Sequence, residues 1–189
     1  MSAQDELHQI ERAQRSASAF TPLYERYVHL VWNYCLARLR NEDRAADATS
    51  ATFLKAMKAL PRYKPKLVSS GTGTDVTTFR SWLMTIARNV VLDELRRRPI
   101  APLDGAGFNL ASPDDGPEEI AIARDRNRQL LEAYAQLSDQ QQDVIRLRQQ
   151  GLTGEEIGAV LGIRAGAVKS THYRAIQKLR ELLQKGEQA

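Results

Sequence analysis

Apolar residues recur along this chain at the three-and-four spacing of helices, and no stretch alternates convincingly in the manner of a strand. Phe20, Leu23, Tyr24, Tyr27, Val31, Tyr34 and Cys35 form one stripe, which predicts a helix over about 18–40. Phe53, Leu54 and Met57 predict a second helix over 43–59, with those three side chains turned inward. Phe79, Trp82, Leu83, Ile86, Val90 and Leu95 predict a third over 77–98, with Phe79 and Trp82 mostly buried. A fourth element is expected over 118–136. The segment PRYKPKLVSSGTGTDV, from Pro61 to Val76, is long for a helix–helix connection and is expected to be mobile in the free protein. Its GTGTD is no phosphate-binding loop, because no Gly-Lys-Ser/Thr follows.

The last fifty residues carry sharper punctuation. Ser138 followed by Gln141, and Thr153 followed by Glu156, both read as capping boxes in which hydroxyl and longer polar side chain satisfy each other's backbone N–H. Gly151 and Gly162 stop the two helices so started, since glycine takes positive φ without a Cβ penalty. The helix between them, 154–161, has only two turns. A longer helix follows over 165–184. A short helix, a tight turn and a longer helix describe a helix-turn-helix. Val168, His172, Ala175, Leu179 and Leu182 share one arc of the last helix, with His172 expected to lie half-buried over the core. Lys169, Ser170, Tyr173 and Arg174 face the other way. Outward donors with an aromatic ring suit the major groove, where a good bidentate contact discriminates by about 1–3 kcal/mol. On an isolated helix a solvated basic face would explain them as well; after a twice-capped unit they point to DNA.

Composition narrows the classes. The 189 residues are 42% hydrophobic, enough for one core or two small ones. No apolar run approaches a membrane span, and the polar start MSAQDELHQIERAQR is no secretory signal, so a cytoplasmic protein without membrane contact is expected. The net charge of +4 is unevenly spread. Residues 1–98 carry +6, residues 99–137 carry −4 and residues 138–189 carry +2. Two basic blocks suit a polyanionic partner. Pro99, Pro102, Pro113 and Pro117 with Gly105, Gly107 and Gly116 make 99–117 an acidic linker. The single cysteine, Cys35, falls in the core stripe. His8, His29 and His172 are far apart, and nothing has zinc-ligand spacing, so no catalytic, metal or cofactor site is expected.

ATFLKAMKAL, then FRSWLMTIARNVVLDELRRR, then the proline-rich linker, then LSDQQQDVIRLRQQGLTGEEIGAVLGIRAGAVKS follow one another in a telling order. That order resembles the bacterial RNA polymerase sigma factors of the extracytoplasmic-function type, over residues 18–184. The resemblance implies an all-α protein of two small helical domains joined by a flexible linker. Residues 1–98 would bind core polymerase and open the downstream (−10) promoter element. Residues 118–189 would read the upstream (−35) element as duplex, through the helix-turn-helix. By position, Arg164, Lys169, Ser170, Tyr173 and Arg174 match the upstream contact set. Arg88, Asn89, Arg96 and Arg97 match the downstream set, and the 61–76 segment matches one that captures a flipped base. Asp47, Ser50 and Phe53 match the polymerase-binding face. There the family usually carries Asp-Leu-Val-Gln-Glu before Thr-Phe, and this chain reads Asp47-Ala48-Thr49-Ser50-Ala51, which implies a weaker grip.

The implied partners are core RNA polymerase, through its β and β′ subunits, promoter DNA, and an anti-sigma factor as a further candidate. The free protein would be a monomer and would not itself catalyse. Two rivals remain on the residues alone: a helix-turn-helix regulator that acts without polymerase, and a degenerate sigma-like protein working through protein contacts, to which Ser50 and Ala51 point.

Overall fold

The structure, a computed structural model, describes residues 2–69, 75–99 and 128–186. Helices dominate it: α1 Ala3–Arg15, α2 Thr21–Leu39, α3 Glu42–Ala59, α4 Phe79–Arg97, α5 over 128–135, α6 Asp139–Gln149, α7 Gly154–Leu161 and α8 Ala165–Gly186. Expected linker residues 100–117, and residues 118–127 of the expected fourth element, lie outside the described residues.

Two elements depart from the sequence reading. The first is α1, which no stripe announced. It is started by Ser2, whose hydroxyl accepts from the Asp5 N–H at 3.1 Å while Asp5 accepts from the Ser2 N–H at 2.9 Å. Only Ile10, Ala13 and Glu6 of this helix are buried, too short a stripe to stand out from a polar stretch. The second is a two-stranded antiparallel sheet, β1 Leu67–Ser69 with β2 Asp75–Thr77, where no strand was expected. Leu67 pairs with Thr77, Val68 with Val76 and Ser69 with Asp75. Three residues per strand are too few for alternation to be legible, and pairing across the segment was invisible to a one-dimensional pattern. The long connection is therefore a hairpin at its flanks; residues 70–74 lie outside the described residues.

The core is built from α2, α3 and α4. Leu23, Tyr27, Val31 and Tyr34 meet Ala45, Ala48 and Phe53, and both sets meet Phe79, Leu83, Met84, Ala87 and Val91. Ile10 of α1 is fully buried against them. Phe79 is buried as expected, whereas Trp82 is half-buried and stacks on Tyr63, with ring centroids 4.4 Å apart. Leu54 and Met57 were expected inward and instead face solvent, at 59% and 38% exposure. Phe53 and Ala56 already fill the inner arc of α3, with Leu60 buried just past its end, and Leu54 and Met57 fall 100° beyond that arc.

The second half does not stand apart. Val144, Leu147, Leu152, Ile157, Val160 and Val168 belong to the same continuous buried cluster as the α2–α4 core. A smaller cluster of Leu137, Ile145 and Ala175, with Tyr134, Ile176 and Leu179 against it, locks α5, α6 and α8 together.

Candidate nucleic-acid and polymerase interfaces

The helix-turn-helix forms through the expected local chemistry. The Ser138 hydroxyl accepts from the Gln141 N–H at 3.3 Å, and Gln141 Oε1 accepts from the Ser138 N–H at 3.0 Å. Thr153 and Glu156 repeat the pattern at 3.2 and 2.8 Å. Gly151 and Gly162 take φ of +78° and +68°. Gly158 is the tight point of the turn: its carbonyl accepts from the Ile163 N–H at 3.0 Å, and a Cβ there would lie 2.6 Å from the Ile163 oxygen.

This turn sets the angle at which α8 leaves. Val168 and Ala175 are fully buried and His172 is half-buried, as the faces implied. Thr171, placed on neither face by the sequence reading, is also buried, at 8% exposure. The outward face carries Arg164, Lys169, Ser170, Tyr173 and Arg174, all exposed. Tyr173 is the extreme, at 64%. Two of the five are partly engaged with their own helix: the Ser170 hydroxyl donates to the Ala167 carbonyl at 3.0 Å, and Arg174 Nε donates to the Ser170 carbonyl at 3.3 Å.

The candidate downstream face lies on α4 and is less uniform. Asn89, Arg96 and Arg97 are exposed. Arg96 pairs with Asp93 at 3.2 Å on the open surface, a contact of little energetic weight. The end of α4 is held by Arg44 of α3, whose guanidinium bonds Glu94 Oε1 at 3.1 Å and the Arg98 carbonyl at 2.6 Å. Arg88 is different. Its Nε donates to Asp143 Oδ2 at 2.7 Å, across to α6.

Asp143 is fully buried and is the hub of a group that sequence reasoning missed. The Tyr34 hydroxyl donates to its Oδ1 at 2.9 Å, and Arg38 Nε lies 3.6 Å from the same oxygen. Arg38 also donates to Gln142 Oε1 and Asp139 Oδ1, both at 2.7 Å. Burial and then the Asp143 charge push the Tyr34 hydroxyl well above the usual phenol range. Burial works against the Arg38 charge, but Asp143, Tyr34 and Asp139 together hold its pKa above the usual value. A second cross-link joins α4 to α7, where Arg80 grips Glu156 through two nitrogens, Nε at 2.7 Å. Burial raises the Glu156 pKa, yet the Arg80 bond, the Thr153 N–H and the Arg80 charge bring it below the usual carboxylate range. These partners are 55 to 109 residues apart, so no local pattern could have paired them.

The candidate polymerase face is on α3. Asp47 and Ser50 are exposed on one side, in line with Leu54 and Met57. Phe53 is not on that surface: it is 4% exposed and packs edge-on against Tyr24, with centroids 4.7 Å apart, and against Phe20. Its assignment as a direct contact is corrected to a residue of the core beneath the face.

One further group concerns the hairpin. Glu6 of α1 is buried and accepts hydrogen bonds from the Tyr27 and Thr77 hydroxyls, while Arg26 lies 3.3 Å away. Gln14 of the same helix donates to the Leu60 and Tyr63 carbonyls at 3.0 and 2.6 Å. So α1 fastens both ends of the segment that runs from Leu60 to Thr77. Among the described residues no group of His, Cys, Asp and Glu could hold a metal ion, and no helix is long and apolar enough to cross a membrane.

Comparison with known proteins accounts for both halves. The family model described as Sigma-70 region 2 matches residues 23–99, and that described as Sigma-70, region 4 matches residues 127–179. CarQ of Myxococcus xanthus, an RNA polymerase sigma factor, is 34% identical over 171 residues, 87% of this chain and 89% of CarQ. The chain belongs to the extracytoplasmic-function RNA polymerase sigma factors. SigL of Mycobacterium tuberculosis, of the same type, is 30% identical over 174 residues, 91% of this chain and 93% of SigL. BldN of Streptomyces coelicolor is 35% identical over 178 residues, and there the match spans 92% of this chain but only 64% of BldN. Among solved structures, CnrH in complex with the cytosolic domain of CnrY shares the fold, with a TM-score of 0.66 at 23% identity over 94% of this chain and 96% of that one. The sigma factor RpoE in complex with the anti-sigma factor NepR, from Bartonella quintana, shares it at TM-score 0.58 and 20% identity, over 87% of this chain and 96% of that one.

Proposed function

We propose that this sigma factor divides promoter recognition between its two halves. The outward face of α8 reads the upstream element as duplex, with Lys169, Tyr173 and Arg174 toward base edges and Arg164 and Ser170 toward the backbone. The exposure of all five on one helix, directly after a turn that fixes its angle, is the observation that carries this reading. Arg88, Asn89, Arg96 and Arg97 of α4 hold the downstream element as it opens. Opening needs no ATP if unpaired bases are captured by contacts that offset the few kcal/mol of unstacking. The segment between Tyr63 and Thr77 supplies one such capture site, braced by α1 through Gln14 and Glu6.

The face of α3 with Asp47, Ser50, Leu54 and Met57 docks on core polymerase, and Phe53 supports it from below. An anti-sigma factor is a fitting further partner, since CnrH and RpoE were each solved with a protein bound to them. The test is transcription in vitro with purified core enzyme and mapping of transcript 5′ ends. A shared pair of upstream elements at starts that core alone does not use supports the reading. Tight, sequence-specific promoter binding by the free protein, with no new starts in the presence of core, would favour a regulator that works without polymerase.

A further inference from the structure

Three guanidiniums converge where the end of α2 meets α5 and α6, and their partners are unevenly shared. Arg38 holds Asp139, Asp143 and Gln142 Oε1. Arg40 and Arg146 hold no acceptor: among the described residues neither side chain makes a hydrogen bond or an ion pair, and Arg146 Nε is buried with nothing to donate to. The Arg146 guanidinium instead lies 4.6 Å over the Tyr134 ring. The Tyr134 hydroxyl donates to the Gln142 carbonyl at 2.8 Å, which fixes the ring and the cation stacked on it. Burial, and then the Arg38 charge, lowers the pKa of both Arg40 and Arg146 against the opposing pull of Tyr134, and Arg40 lowers that of Arg146 further. A guanidinium keeps its proton in a protein, so these like charges persist at neutral pH and call for an anion.

Arg40 carries a second mark. It ends α2 with φ of +53°, the one left-handed residue other than glycine among the described residues. Glycine takes that conformation without a Cβ penalty, so the turn itself gives no reason for an arginine. The charge count points the same way. Arg38, Arg40, Arg146 and the Arg88 that shares Asp143 are four guanidiniums to two carboxylates, Asp139 and Asp143, which leaves an excess of two positive charges.

We propose that Arg40 and Arg146 form a binding site for a phosphate dianion, free or as the monoester of a small molecule, with Tyr134 holding Arg146 in place for it. A phosphate of about −1.5 to −2 charge matches the excess. The planar fork of a guanidinium fits two phosphate oxygens at once, and a stacked guanidinium is already oriented before the ligand arrives. Both arginines are half-buried, which suits a small anion and not the continuous backbone of a duplex. The residues assigned to upstream duplex reading lie elsewhere, all exposed on α8. The site is separate from promoter recognition, and its test needs neither DNA nor polymerase.

Calorimetric titration of the full chain with inorganic phosphate, at an ionic strength held constant with chloride, should show one saturable site. The melting temperature should rise by about 5–10 °C at a phosphate concentration about 100 times the dissociation constant. A nucleoside monophosphate and the bare nucleoside are titrated beside it. Tighter binding of the monoester than of phosphate assigns the site to an esterified ligand, and equal or weaker binding assigns it to free phosphate. Arg146→Gln should weaken phosphate binding roughly tenfold or more. Arg40→Gly keeps the turn, so it should melt no lower than the parent in chloride yet gain nothing from phosphate, a pattern that misfolding does not produce. Arg12→Gln, an exposed arginine on α1, should bind phosphate as the parent does. The site is overturned if the parent shows no saturable phosphate binding, if the bare nucleoside binds as well as its monophosphate, if Arg40→Gly and Arg146→Gln bind phosphate as the parent does, or if Arg12→Gln weakens binding as much as they do.

Discussion

Glu6 offers the sharpest test of how the hairpin is held. Its carboxylate is 4% exposed and accepts from two hydroxyls, Tyr27 and Thr77, with Arg26 at 3.3 Å. Hydrogen bonds to a charged acceptor contribute about 1.5–3 kcal/mol each, so two give roughly 3–6 kcal/mol before non-additivity. The bonds share one carboxylate, and α1 can undock rather than tolerate the full loss, so Glu6→Ala should cost about 3 kcal/mol. At about 2–4 °C per kcal/mol for a chain of this size, that is a fall of roughly 6–12 °C in Tm. Glu6→Gln keeps the volume and one carbonyl acceptor and should cost about half as much. Urea unfolding of the full chain measures both, and amide hydrogen exchange locates them. Protection should fall in 3–15 and at 75–78, where Thr77 Oγ1 also accepts from the Phe79 N–H at 3.3 Å. A loss under about 0.5 kcal/mol for Glu6→Ala, the range of an ordinary surface change, would refute the idea that α1 braces the hairpin through this residue.

Gly158→Val should destabilise by several kcal/mol and misdirect α8, because its first side-chain atom already meets the Ile163 carbonyl; melting and upstream DNA binding should both suffer, and an unchanged Tm would contradict the geometry of the turn. Lys169→Ala and Arg174→Ala should each lower transcription with core binding intact, and a phosphate contact among them should reduce the salt slope of promoter binding by about one. Ser50→Gln with Ala51→Glu should tighten the complex with core polymerase, measured by titration of labelled protein; equal affinity would remove the α3 face from the polymerase contact. Stability should fall as pH rises through about 10 and beyond. Burial, then Glu6 for Tyr27 and Asp143 for Tyr34, raises both hydroxyls above the ordinary phenol value, and burial pushes the Cys35 thiol up to about 11. A group whose folded pKa is raised stabilises fully below its unfolded pKa and ceases to do so above its folded one, so Tyr27→Phe should blunt the alkaline loss.

What the sequence by itself determined is what short-range physics controls. The capping boxes at Ser138 and Thr153 join residues three positions apart, the glycine stops at 151 and 162 act at single positions, and the outward set on α8 follows from the helical period over three turns, so their chemistry is written locally. The α2 and α4 stripes were legible for the same reason, being long enough for the helical period to repeat. The family likeness extended this by the order of blocks, not by any single residue. Tertiary structure alone decided the rest. Helix α1 shows a weak stripe because it covers one edge of a core, and its worth lies in Glu6 and Gln14 reaching residues 46 to 71 positions away. The hairpin exists because three-residue strands find each other across the segment, a pairing with no period to read. Phe53 and Leu54 are both apolar and adjacent, and only packing against Phe20 and Tyr24 sorted one inward and the other out. Arg88 looks in sequence like any basic residue on a DNA-facing helix. Its carboxylate partner lies 55 residues on, across a linker, and the energy of a buried pair depends on the desolvation that the folded chain imposes, which no local pattern of residues encodes.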